Sequence, residues 1–153
     1  LRGGVVVEAG ATVEPGVLIE GPVLIRSGAS VGPNASLSGA TLVSSDCTVG
    51  HGAELETSIL MEGANVPHLS HVGHSLLGEH ANLGAGTQIA NLRHDQADVR
   101  VTVKGESVST GRRKFGAVIG PDAKTGINTS LNAGVKLSRG AMTKPGEVVL
   151  EDR

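Results

Sequence analysis

From Val7 onward the chain sets an aliphatic residue or methionine at every sixth position: Val7, Val13, Ile19, Ile25, Val31, Leu37, Val43, Val49, Leu55 and Met61. The spacing resumes at Leu77, Leu83 and Ile89, and again from Ile119 through Thr125, Leu131, Leu137 and Thr143 to Val149. Of these 19 rungs, 17 are apolar and two are threonine. Four residues past a rung the side chain is usually small or β-branched, as at Ala11, Ala29, Ala35, Thr41, Cys47 and Ala53. Three residues past it comes Gly, Asn or Asp at Gly10, Gly16, Gly28, Asn34, Asp46, Gly52, Gly86, Asp122 and Asn128. These residue types tolerate left-handed backbone angles at a sharp corner. Each hexad therefore reads as a short strand plus a corner, and three hexads close one triangular coil. So strict a period predicts an all-β chain wound as a parallel β-helix, with stability shared between stacked coils.

Such a helix stacks its interior from aliphatic columns, and the composition agrees. Phe115 is the single aromatic residue, and glycine occurs 23 times in 153 residues. Cys47 falls on a small inward position and reads as a packing residue. With no second cysteine for an internal disulfide, a reducing, cytoplasmic setting is expected. A net charge of -2 points to neither nucleic acid nor membrane, and no apolar run approaches the ~20 residues that span a bilayer.

The repeat gives way in two places. Rung spacing shortens to five between Met61 and Val66 and again between Val72 and Leu77. The stretch Val66–Asn91 holds His68, His71, His74 and His80, four of the six histidines, together with the Gly-Ala-Gly turn at Gly84–Gly86. From residue 90 to 117 the hexads vanish. Val99, Val101 and Val103 alternate as a strand, Lys104-Gly105-Glu106 reads as a turn, and Val108 begins a return strand, giving a hairpin-like arm. The arm carries Arg93, Arg100, Lys104, Arg112, Arg113 and Lys114 against Asp95, Asp98 and Glu106. A basic arm on an acidic body favours an anionic ligand, and without aromatic platforms that ligand is not a nucleic acid.

The ladder resembles the left-handed β-helix acyltransferases of the hexapeptide-repeat class. Within it, PHLSHVG, GEHANLGAGTQIANLRHD and STGRRKFGAVIG are similar to the C-terminal domain of archaeal-type bifunctional sugar-1-phosphate nucleotidylyltransferase/amino-sugar-1-phosphate N-acetyltransferases. The resemblance implies one β-helix domain over residues 1–153 and an upstream nucleotidylyltransferase domain outside this chain. It also implies a homotrimer that transfers acetyl from acetyl-CoA to glucosamine 1-phosphate or galactosamine 1-phosphate in UDP-N-acetylhexosamine biosynthesis, with no metal required. It puts the general base on His68 and a catalytic asparagine on Asn91. Substrate contacts fall on His71, Asn82, Arg100, Arg112, Arg113 and Lys114, and acetyl-CoA contacts on Ala85, Gly86, Ile127 and Lys144. The chain departs from the family pattern at His71, where a tyrosine is usual, at Ala97 and Arg100 in place of arm lysines, and at Glu56 in place of a coil lysine.

The chemistry fits these residue types. An acceptor ammonium must lose a proton before it attacks a thioester, and imidazole takes protons near neutral pH. The resulting oxyanion needs donors such as backbone N–H groups at the Gly-Ala-Gly turn. Two other readings compete. One is a non-catalytic trimerising β-helix attached to a nucleotidylyltransferase. The other is a carbonic anhydrase-like metal site at His68, His71 and His74, whose ligands could converge only across an interface or at a bend.

Overall fold

The computed structural model describes residues 2–153. Twenty strands of two to four residues alternate with tight corners, and no helix occurs among the described residues, so none is available to cross a membrane. Eighteen of the strands stack into three parallel walls, and the other two pair in the arm. The first wall runs from Val5–Val7 through Val23–Ile25, Thr41–Val43, Ile59–Leu60, Leu76–Leu77 and Val118–Ile119 to Lys136–Leu137. The second contains Thr12–Val13, Ser30–Val31, Thr48–Val49 and Asn65–Val66, continued by single bridges at Asn82, Lys124 and Met142. The third runs from Leu18–Glu20 through Ser36–Ser38, Glu54–Glu56, His71–Gly73, Gln88–Ile89 and Ser130–Leu131 to Val148–Val149. This is the parallel β-helix expected from the hexads, of the left-handed kind that the resemblance implies.

Register gives the length of each coil. Val7 lies beside Ile25 and Ile25 beside Val43, an offset of 18 residues. From Val43 to Leu60 and from Leu60 to Leu77 the offset is 17. It becomes 42 from Leu77 to Ile119, where the arm is inserted, and returns to 18 at Leu137. The rungs Ile19, Ile25, Leu37, Val43, Leu55, Leu77 and Ile119 are fully buried and form one continuous core. Cys47 packs in it, its Sγ 3.0 Å from the Met61 carbonyl oxygen, and burial pushes the thiol above its ordinary pKa.

One rung differs from expectation. Met61 is 37% exposed, while Leu60 is fully buried, so the short spacing falls between Leu55 and Leu60. The reason lies in the corner joining the third wall to the first. In two coils that corner is one residue shorter, and serine hydroxyls take over the missing contacts. Ser58 N–H donates to Thr41 Oγ1 at 3.2 Å, Ser75 N–H to Ser58 Oγ at 3.1 Å, and Ala117 N–H to Ser75 Oγ at 3.0 Å. This buried hydroxyl ladder runs down one edge of the helix and ends where the arm rejoins it. The arm therefore replaces a corner and leaves every wall intact.

Candidate active site

The corner joining the second wall to the third carries one group of predicted residues. His68 occupies it with its ring exposed, and the next residue, Leu69, has a positive φ of 57°. Gly86 N–H donates to the His68 carbonyl at 2.9 Å, Asn128 N–H to that of Ala85 at 2.8 Å, and Gly146 N–H to that of Ile127 at 2.8 Å. Backbone bonds thus line up His68, Ala85, Gly86 and Ile127 along one edge, with Lys144 on the following coil. Of the three amides in the Gly-Ala-Gly turn, two are already used. Gly84 N–H donates to Thr125 Oγ1 at 2.8 Å and Gly86 N–H to His68. The Ala85 N–H makes no hydrogen bond among the described residues and is the donor left for a ligand.

The outer face of the third wall leads from this edge to the next. His71 lies on it, and its Nδ1–H donates to the Ile89 carbonyl at 3.2 Å. Two residues on, Gly73 opens a gap. A Cβ there would lie 2.3 Å from Asn91 Nδ2 and 3.0 Å from His71 Cε1, so the Asn91 amide lies over the wall only because position 73 has no side chain. Asn91 Nδ2 donates to His74 Nδ1 at 3.0 Å and reaches Glu56 Oε2 at 3.5 Å. Lys114 Nζ, from the end of the arm, donates to Glu56 Oε1 at 3.0 Å. Glu56, His74, Asn91 and Lys114 form one cluster.

Two electrostatic effects act on this cluster. The Lys114 hydrogen bond holds the Glu56 carboxyl below its usual range, against the opposing effect of burial. Burial is the largest influence on His74 and pushes its imidazole below the ordinary value, outweighing the Glu56 charge. Neutral His74 is also what the Asn91 bond requires, since Nδ1 accepts there. In the sequence Glu56 stands out only as a departure from the family pattern and His74 only as a metal candidate. The coil offset was the available signal, because Glu56 lies beside Gly73 and so just above the His74 corner.

The arm pairs Arg100–Val103 with Glu106–Ser109 as an antiparallel hairpin, in line with the predicted strand, turn and return. Val99 is buried at its base, and Lys136 Nζ donates to the Thr102 carbonyl. Arg112, Arg113 and Lys114 line a cleft of about 440 Å³ with His74 and Leu92. Arg100 is separate from them. Its guanidinium donates to Ser107 Oγ at 2.9 Å and to the Ser107 carbonyl at 2.6 Å, and it lines another cleft with Gly134 and Asp152. Asn82 faces outward from the second wall, where its Oδ1 accepts from Asn65 Nδ2 at 2.6 Å. His68, His71 and His74 occupy an edge, a face and the next edge, and no three His, Cys, Asp or Glu side chains converge among the described residues.

Residues 19–115 match the model of a family described as the GMPPB C-terminal domain. The chain is 53% identical over 95 residues to the bifunctional sugar-1-phosphate nucleotidylyltransferase/acetyltransferase of Sulfurisphaera tokodaii, a match covering 62% of this chain and 24% of that protein. It is 50% identical over 80 residues to the bifunctional protein GlmU of Methanococcus aeolicus, covering 52% of this chain and 19% of that one. The chain therefore spans about a quarter or less of the length of these curated relatives. In fold it is similar to a hexapeptide transferase family protein from Anaplasma phagocytophilum, with a TM-score of 0.64 at 17% identity over 90% of this chain and 72% of that one.

Proposed function

This chain belongs to the GMPPB C-terminal domain family, and from that premise we propose that it transfers acetyl from acetyl-CoA to the amino group of a hexosamine 1-phosphate. The observation that carries the reading is the shared edge: an exposed imidazole at His68 beside an unpaired backbone donor at Ala85. The names of the relatives, which join sugar-1-phosphate nucleotidylyl transfer to acetyl transfer, support the choice of substrate.

In this proposal the acceptor ammonium gives its proton to His68, and the free amine attacks the thioester carbonyl carbon. A C–N bond forms, the carbonyl electrons move to oxygen, and Ala85 N–H donates to that oxyanion. Collapse breaks the C–S bond, the new amide nitrogen loses its second proton, and the CoA sulfur leaves with that proton as the thiol while His68 returns the first proton to solvent. Arg112 and Arg113 attract the sugar phosphate, whereas Lys114 is already engaged with Glu56. Ile127 offers an apolar surface to the CoA arm, and Lys144 offers a charge for its phosphates. Asn91 and His71 hold the sugar over the third wall. The active form is a homotrimer, and the product enters UDP-N-acetylhexosamine synthesis.

Glu56 favours a second reading. Its carboxylate cancels one arm cation, which suits a scaffold that has lost its anion site. Thiol release separates the two. The transferase releases CoA thiol only when glucosamine 1-phosphate or galactosamine 1-phosphate is present, and His68→Ala lowers turnover on the order of 100-fold with unchanged thermal unfolding. Absence of release with either sugar would favour the scaffold, and near-normal turnover in His68→Ala would remove that residue from the mechanism.

A further inference from the structure

Asn65 stands on the second wall, one coil from Asn82 and directly beside it. Its Nδ2 donates to Asn82 Oδ1 at 2.6 Å, while its own Oδ1 is buried and finds no donor. A side-chain amide has one accepting end and one donating end, so two stacked amides have only two self-consistent arrangements. In one, Asn65 donates and Asn82 turns its NH2 outward. In the other, Asn82 donates and turns its oxygen outward. Each leaves one Asn65 group unpaired, and the structure contains the first.

We propose that Asn65 is a positioning residue, which locks the Asn82 amide with its NH2 toward the reactants so that Asn82 donates to an acceptor oxygen of the acetyl donor or the sugar. The inference rests on the acetyltransferase reading above. Its sense is specific: Asn82 acts as a donor at this position, and it does so because of a neighbour that itself meets no ligand.

The test exploits the near-identical shapes of Asn and Asp. In Asn65→Asp the carboxylate can only accept, so Asn82 must rotate, donate to it and present oxygen to the reactants. In Asn65→Ala the Asn82 amide is free to turn either way. Turnover in the acetyl-CoA thiol-release assay is expected to fall on the order of 100-fold in Asn65→Asp and only about 3- to 10-fold in Asn65→Ala. A packing role predicts the opposite order, because Asp fills the site and Ala empties it, so that order would overturn the proposal. In an Asn82→Ala background, Asn65→Asp is expected to cost nothing further, and an undiminished loss there would also overturn it. If the unaltered protein releases no thiol, the transferase reading has failed, and the amide polarity is read on its own. Side-chain hydrogen exchange should then be slow for the Asn65 NH2 and fast for that of Asn82, with the reverse contradicting the assignment.

Discussion

His74 sits at a positive φ of 51°, in a backbone region that costs most side chains energy, and its Nδ1 accepts a bond that only the neutral ring can accept. Its pKa is lowered chiefly by burial, so the folded protein binds this proton less readily than the unfolded chain. Stability from this group is therefore complete above the ordinary value near 6.5 and is lost as pH falls through the lowered one. A second loss follows below 4.5 as the Glu56 carboxylate, also lowered, takes up its proton. The unfolding temperature is expected to drop between about pH 7 and 5, and His74→Asn, which tolerates the same φ, should remove that drop while keeping the loss at lower pH. Parallel curves for the two proteins would contradict the assignment. This cluster was only half legible in the sequence. Asn91 and Lys114 stood out by motif and charge, but Glu56 and His74 join them only through the coil offset and the gap at Gly73, neither of which a motif shows.

At the scale of the elements, the arm depends on one glycine. Gly134 has a φ of +86°, and a Cβ there would fall 2.2 Å from the Arg100 carbonyl oxygen, where the base of the hairpin passes. Gly134→Ala is expected to loosen the arm from the coil. Amides of residues 99–110 should exchange faster, while exchange at the rungs of the upper coils stays unchanged; unaltered exchange in the arm would show that it needs no such close approach. The coils themselves were written plainly in the hexads, because an inward rung must be apolar or, as at the buried Thr125, find its own hydrogen-bond partner inside. The short corner was not. Ile59, Leu60 and Met61 are all apolar, so the sequence alone could not show which of them turns inward. The hydroxyl ladder through Thr41, Ser58 and Ser75 decides it, and that ladder exists only once coils are stacked.

For the whole molecule, the outer face of the first wall is the feature that a single chain leaves unexplained. Register aligns Val6, Leu24, Leu42, Ile59, Leu76 and Val118 into one outward apolar stripe, with Val6 56% and Ile59 42% exposed. In the proposed trimer this apolar stripe is the face that a partner covers. The cleft that includes Ile59, Leu76 and Val118 also reaches His74 and Lys114, so a partner covering the stripe would also wall in the cluster. Leu42→Glu in the middle of the stripe is expected to convert the proposed trimer into monomers by light scattering without unfolding the coils, since the side chain points away from the core. A monomeric unaltered protein, or an unchanged mass in the variant, would contradict the assembly.

Whether the His68–Ala85 edge receives an acetyl thioester, as proposed, is decided by a crystal soaked with acetyl-CoA. The thioester oxygen is expected within hydrogen-bond distance of the Ala85 N–H, with the CoA arm running past Ile127 toward Lys144 and the His68 ring facing the acetyl carbon. Acetyl-CoA bound elsewhere, or bound with its thioester turned away from that edge, would contradict it.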